Sequence, residues 1–169
     1  MQKPKRIFFV TETTDFTNKL LKTTATRGLT KGLIRLGHDV QVFSYNNAFR
    51  QVEFIKLKWQ ILYKSRVDKL LAKQVENYNP DIVFVVFAKY LDAETVKLMR
   101  EAAPSAVFVG QDGDLWPELH KNRIEAAAEL DIMITTYSGK GLDTYRKTGT
   151  RCAFVPNMCD PDVEYRYDV

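Results

Sequence analysis

Ile7-Phe8-Phe9-Val10, just after Arg6, and His38-Asp39-Val40-Gln41-Val42-Phe43 are the two stretches that decide the fold, together with what lies between them. The first is an unbroken apolar run too short for a helix, as expected of a strand buried on both faces. A polar loop follows from Thr11 to about Thr23. Ala25, Leu29, Leu33 and Leu36 then recur at spacings of four, four and three, which predicts a helix laying one apolar stripe on a sheet. Gly37 stops that helix, and the second stretch alternates inward and outward residues as another strand. Strand, loop, helix, strand is a right-handed βαβ crossover, so ligands are expected at the carboxyl end of the first strand.

The same alternation continues outward. Tyr45-Asn46-Asn47 reads as a turn, and a long helix is expected from about Glu53 to Tyr78. Val67, Leu70, Leu71, Val75 and Tyr78 fall on one side of its second half. Its first half is apolar all round (Phe54, Ile55, Leu57, Trp59, Ile61, Leu62, Tyr63), which calls either for a second surface to cover it or for a bend that wraps the core. Asn79-Pro80 ends the segment, because the residue before a proline avoids the α region. Asp81 to Phe87 is the clearest buried strand. Asp92 caps a helix through Val96, Leu98, Met99 and Ala102 that Pro104 stops. Ala106 to Val109 is a fourth strand. Pro117 opens a helix through Leu119, Ile124, Ala127 and Ala128. Asp131 to Thr136 is a fifth strand, and Ser138 caps a short helix with Leu142 and Tyr145 inward, ended at Gly149. Cys152 to Val155 is a sixth strand. The expected class is α/β: a doubly wound, mostly parallel, six-stranded Rossmann-like sheet with helices on both faces, formed by residues 1–157.

Composition narrows the setting. At 169 residues and 45% hydrophobic content the chain can bury one substantial core. No run of about 18 uncharged apolar residues and no leader pattern is present, so a cytoplasmic location is expected. Cys152 and Cys159 do not have zinc-pair spacing and read as reduced structural thiols. The net charge of +4 is uneven: residues 1–79 hold 15 Lys and Arg against 6 Asp and Glu, and residues 80–169 hold 10 against 15. The basic half points to an anionic partner or to solvated helix faces.

Loops leaving the strand carboxyl ends should form one rim. They offer Thr11 to Thr14, Ala88-Lys89-Tyr90, Gln111 to Asp114, Tyr137-Ser138 and Pro156-Asn157. A dinucleotide site needs glycines directly after the first strand and an acid ending the second. Thr11-Glu12-Thr13-Thr14-Asp15 and Tyr45-Asn46 stand there instead, which excludes that reading, and no Walker loop is present. Asp112-Gly113-Asp114 could hold a divalent metal or hydrogen-bond sugar hydroxyls, with Trp116 as an aromatic face for a ring. Equally, the acids could cap a helix with Trp116 in the core. Gly28 and Gly32, one turn apart in the first helix, suggest a close approach of another backbone or a ligand, and packing of the helix on the sheet explains them equally well. His38 and His120 both read as structural.

Several stations resemble a known family. Leu36-Gly37-His38-Asp39-Val40 resembles the approach to strand two of GT-B-fold glycosyltransferases, and Asn79-Pro80-Asp81-Ile82-Val83 resembles a strand of the same group. Gln111 to Asp114 and Phe154-Val155-Pro156-Asn157 look like stations of sporulation-associated, CgeB-like glycosyltransferases. The phosphate-binding glycines that many of these enzymes carry after strand one are missing. The resemblance implies the N-terminal, acceptor-side domain of a two-domain enzyme, with residues 158–169 as a linker toward a C-terminal donor-binding domain. It implies a nucleotide-sugar co-substrate held mainly by that second domain, a sugar acceptor as partner, and no further cofactor, resident metal or nucleic acid.

On this reading Thr11, Thr13, Lys89, Asp114, Trp116, Tyr137 and Asn157 bind substrate, and Glu12 or Asp112 is the base of an inverting reaction. The alternatives are a single-domain, metal-dependent transferase using Asp112 and Asp114, or a non-catalytic Rossmann-like ligand-binding module. Residues 50–73 combine Arg50, Lys56, Lys58, Lys64, Arg66, Lys69 and Lys73 with Trp59 and Tyr63, so weak contact with an anionic membrane surface, at the inner face, is also expected.

Beyond Val155 the chain has two prolines and no helical period, with too little apolar content for a core layer. Deleting Asp160 to Val169 should therefore move the unfolding free energy by no more than about 0.5 kcal/mol in a urea titration, as for surface changes. A loss of several kcal/mol would make the tail integral to this domain.

Overall fold

A computed structural model describes residues 3–11, 24–52, 60–87, 91–113 and 121–156, with only the backbone at 24–27 and side chains from residue 63 in the segment that starts at 60. Its elements are β1 (Arg6–Thr11), α1 (Thr24–Arg35), β2 (Asp39–Ser44), α2 (Tyr45–Val52), α3 (Gln60–Tyr78), β3 (Ile82–Val86), α4 (Ala93–Ala102), β4 (Val107–Asp112), α5 (Lys121–Ala128), β5 (Ile132–Thr135), α6 (Lys140–Arg146) and β6 (Arg151–Phe154). The strands form one sheet in the order β2-β1-β3-β4-β5-β6. All five pairings are parallel, so the expected doubly wound, Rossmann-like architecture is found.

The register sorts side chains onto two faces. Phe9 lies opposite Val42 and Phe84, Phe84 opposite Val109, and Val109 opposite Ile132, so these residues make one row on one face. Phe9 and Phe84 stack at 5.1 Å. Phe8, Val10, Val83, Val85, Phe108 and Met133 point the other way, into the main core with Val67, Leu71, Val75, Val96, Met99 and Ala126 of the helices.

α2 packs on α3, α3 on α4, α4 on α5 and α5 on α6, which makes one continuous layer. The crossover from β1 to β2 runs the opposite way along the sheet from the later ones. Because crossovers are right-handed, α1 therefore covers the other face. Among the described residues α1 is the helix of that face, and its far part is thinly covered: Val107 is 42% exposed. A hollow of about 510 Å³ lies there over Ile82, Val107, Val109 and Ile132, near the amino ends of the strands.

Aspartates pin those amino ends. Asp81 accepts a hydrogen bond from the Arg6 amide at 2.8 Å, and Asp131 accepts one from the Phe108 amide at 2.7 Å. The Arg6 hydrogen bond, helped by nearby lysine charge, holds the Asp81 carboxyl below its usual range. Arg100 covers the second pin, 3.2 Å from Asp131 and over the Phe108 ring.

Four local expectations are corrected. The turn at Tyr45-Asn46-Asn47 is the first turn of α2, because Ser44 Oγ accepts from the Asn47 amide as a cap and the Tyr45 ring is buried edge-on against Phe43. Leu36 is not on the apolar stripe: it lies past the end of α1 and is 74% exposed. Its neighbours close a Schellman cap, with Gly37 at φ 85 and bonds from Gly37 N to Ile34 O and from His38 N to Leu33 O. Gly32 does not mark a close approach, since a side chain there would meet nothing within 4 Å. Ser138 does not cap α6. Gly139 holds the cap position, and the Thr135 hydroxyl instead ties up the Tyr137 main chain. Asp92 does cap α4, accepting from the Thr95 amide at 3.0 Å. The long helix expected to end at Tyr78 is found from Gln60, and residues 53–59 lie outside the described part.

Candidate functional site: the carboxyl rim

The strand order reverses between β1 and β3, since the chain leaves β1 toward β2 and β3 toward β4. In open parallel sheets that reversal opens a crevice at the carboxyl ends, where ligands bind. Thr11 closes β1 at this crevice and is buried. Of the other residues singled out from sequence, Asp112 and Tyr137 are described, and both lie at the same end of the sheet. Glu12, Thr13, Lys89, Asp114, Trp116 and Asn157 lie outside the described residues, as do Trp59, His120, Cys159 and the tail.

Asp112 is the last residue of β4, and its side chain enters the main core beside Phe108 and Gly110. Gly110 makes room at this level, since a Cβ there would run into Leu130 Cδ1 and Met133 Sδ. The carboxylate is 1% exposed. Arg123 of α5 donates to Oδ1 at 2.7 Å, while the Tyr137 and Tyr145 hydroxyls donate to Oδ2 at 2.9 and 2.6 Å. Tyr145 stacks between Phe87 and Tyr137, at 6.3 and 6.4 Å between ring centroids. Gly141 lets α6 start against the Tyr137 ring, where a Cβ would collide. Burial, and then the facing carboxylate, push both phenols well above their ordinary values, so they stay neutral donors.

This arrangement corrects three expectations. A general base must reach a substrate proton, whereas both oxygens of Asp112 are occupied inside the core. The carboxylate is a structural anion. A metal shared between Asp112 and Asp114 is disfavoured for a related reason: a cation on Asp112 would sit against the Arg123 guanidinium. Tyr137, expected to bind substrate, gives its hydroxyl to Asp112. The sequence reading did not identify Arg123 or Tyr145 as members of this cluster.

A second cluster sits at the carboxyl ends of β2 and β3, on the same face. Lys64 of α3 donates to Asp68 at 2.6 Å, to Thr95 Oγ1 at 2.8 Å and to Asp92 at 3.2 Å. The Tyr45 hydroxyl donates to Asp68 at 2.7 Å, and burial together with that carboxylate raises the phenol strongly. Burial alone would raise the Asp92 carboxyl, but hydrogen bonds from Thr95 and Lys64 outweigh it and hold the group below its usual range. Lys64 is thus turned inward and leaves the basic surface expected to meet a membrane. Arg66, Lys69 and Lys73 remain on the exposed side of α3, with Lys73 paired to Glu76 at 2.7 Å. Among the described helices none is long and apolar enough to cross a membrane. Cys152 is a free, half-buried thiol whose pKa is raised by burial, and its Sγ donates to Thr150 O.

Comparison with known proteins finds no matching family model and no matching curated protein. Solved structures align only at low similarity. A fragment from Peptoclostridium difficile 630, assigned as a lipoprotein, aligns at a TM-score of 0.40 and 15% identity, covering 86% of this chain and 93% of that one. A 2-deoxyribosyltransferase from Bacillus psychrosaccharolyticus aligns at 0.40 and 15%, covering 83% and 90%. The beryllofluoride-activated DrrB receiver domain aligns at 0.35 and 12%, covering 95% and 91%. At these scores the likenesses carry no argument about ligand or reaction.

The Asp112–Arg123 pair makes a direct prediction. Removing one partner of a buried pair strands the other charge, so Arg123→Met should lower stability by about 3–5 kcal/mol in urea unfolding, and Asp112→Leu with Arg123→Met together should cost much less than the two single changes summed. A loss below about 1 kcal/mol for Arg123→Met, within the range of surface pairs, would contradict the assignment.

Proposed function

We propose that this chain is the acceptor-side domain of a GT-B-like glycosyltransferase, with a sugar acceptor lodged at the carboxyl ends of β1 and β3. The observation that supports this reading most is the composition of the segment after β1, at the reversal of strand order. Thr11 leads into Glu12-Thr13-Thr14-Asp15, without a glycine. Phosphate sites at this position rely on glycine so that backbone amides can approach the anion. A loop of hydroxyls and acids instead suits a ligand rich in hydroxyl donors, and two carboxylates there would repel a pyrophosphate.

In this reading the donor nucleotide sugar is held by a second domain, outside these residues. With Asp112 committed to Arg123 and two tyrosines, Glu12 is the carboxylate assigned to take the proton from the acceptor hydroxyl as it attacks the anomeric carbon. Thr11 and Thr13 position the acceptor. The resemblance of the stations around Gly37, Pro80, Asp112 and Pro156 to GT-B glycosyltransferases points the same way.

Calorimetric titration of the chain with UDP-glucose, with and without Mn²⁺, tests the division of labour. The expected outcome is binding no tighter than about 1 mM, equivalent to roughly 4 kcal/mol, unaffected by the metal. Low-micromolar, Mn²⁺-dependent binding abolished by Asp114→Ala would contradict it and favour a single-domain transferase.

A further inference from the structure

The α1 side of the sheet is open at its amino end, where the turns entering β2 to β6 are all described. Ile82 of β3, Val107 and Val109 of β4 and Ile132 of β5 floor the hollow of about 510 Å³ there, and Lys5, Asn79 and Ser105 stand at its edge. Strands lie about 4.8 Å apart and rise about 3.4 Å per residue, so this floor measures on the order of 10 by 7 Å. That is far below the roughly 800 Å² each partner gives to a stable protein interface. The volume, by contrast, falls within the range of about 300–1,000 Å³ typical of small-molecule sites. A small ligand fits the place, whereas a second copy or another protein would find too little to hold.

The edge supplies hydrogen-bond donors. The Asn79 amide and the Ser105 hydroxyl have no hydrogen-bond partner among the described residues, and Lys5 Nζ meets Asp81 at 3.8 Å, too far for a hydrogen bond. The charge there favours an anion. Lys5 flanks the floor on the β1 side, and Arg151, exposed and opposite Ile132 in register, flanks it on the β6 side. Asp81 is the one carboxylate that lines the hollow. Its Oδ2 already accepts from the Arg6 amide at 2.8 Å, and Lys3, Lys5 and Arg6 offset its charge.

We propose that this hollow binds a small aliphatic or aromatic carboxylate, with its apolar body on the four aliphatic side chains and its carboxylate at Lys5. The Lys5 ammonium donates to the carboxylate, and Asn79 and Ser105 are the further donors. An amine in the same place would meet Lys5 as a like charge. The site lies at the opposite end of the sheet from the carboxyl rim and does not depend on the acceptor-side reading.

The test is a titration of the methyl-labelled chain with octanoate, and with octylammonium as the control of opposite charge, followed by ¹³C–¹H methyl spectra. Octanoate should shift the methyls of Ile82, Val107 and Ile132 saturably, with a Kd of about 1 mM. Lys5→Met keeps the aliphatic stem and removes the charge, so it should weaken octanoate about tenfold without weakening octylammonium. Val107→Ser, at a position 42% exposed and therefore tolerant of change, should weaken both. No saturable shift with octanoate would overturn the proposal. Equal binding of octylammonium would overturn it as well, because it would mean apolar adhesion without recognition of the carboxylate. Methyl shifts that follow protein concentration in the absence of octanoate would give the face to a second copy and overturn it too.

Discussion

A carboxylate that is 1% exposed at the end of a central strand governs the architecture of this domain's carboxyl half. Burying an ion costs several kcal/mol unless geometry and hydrogen bonds compensate. Asp112 therefore requires donors, and they arrive from three places: Arg123 on α5, Tyr137 after β5 and Tyr145 on α6. Meeting that requirement fixes the angle of α5, the path of the loop after β5 and the seat of α6. Gly110 and Gly141 are the steric conditions, since side chains at either would displace Leu130 or the Tyr137 ring. What looks like an acidic loop in the sequence is the internal brace of β4, β5 and the two helices that flank β5.

The other half is braced by the same physics. There the buried carboxylate is Asp68, and the partly exposed Lys64 ties α3 to the N-terminal cap of α4 through Asp68, Asp92 and Thr95. Tyr45 joins α2 to that cluster through Asp68. At the opposite end of the sheet, Asp81 holds the first amide of β1 and Asp131 the second amide of β4. Both braces at the carboxyl end lie on the side of the many-helix layer. Among the described residues, the last row on the α1 side of the sheet holds Ser44, Thr11, Val86, Gln111 and Ile134, all neutral.

The sheet was legible because buried parallel strands announce themselves as apolar runs, and because Pro80 and Gly37 end helices by backbone geometry that no tertiary context overrides. α2 was not. Its N-terminal Tyr45 looks like a turn residue until the Asp68 acceptor, 23 residues away, accounts for burying the phenol. The same distance problem hid the role of Asp112. An acid after a strand reads alike whether it opens to ligand or turns inward, and its partners lie 11, 25 and 33 residues farther along. Leu36 fitted the helical period, but the Schellman cap at Gly37 ends the helix one residue before it.

The Asp112 brace can be read directly from the ionisation of Tyr137 and Tyr145, followed by ¹³Cζ chemical shifts in the folded chain as pH rises. Both phenols have raised pKa values, so their contribution to stability is complete below the unfolded phenol value of about 10 and is lost as pH climbs above it. Neither ring is expected to ionise while the domain stays folded, and the two phenols' share of the stability is expected to fall only above about pH 10, where unfolded tyrosine loses its proton. Titration of either ring near 10 in the folded state, as for a surface phenol, would contradict the claim that they serve as buried donors to Asp112.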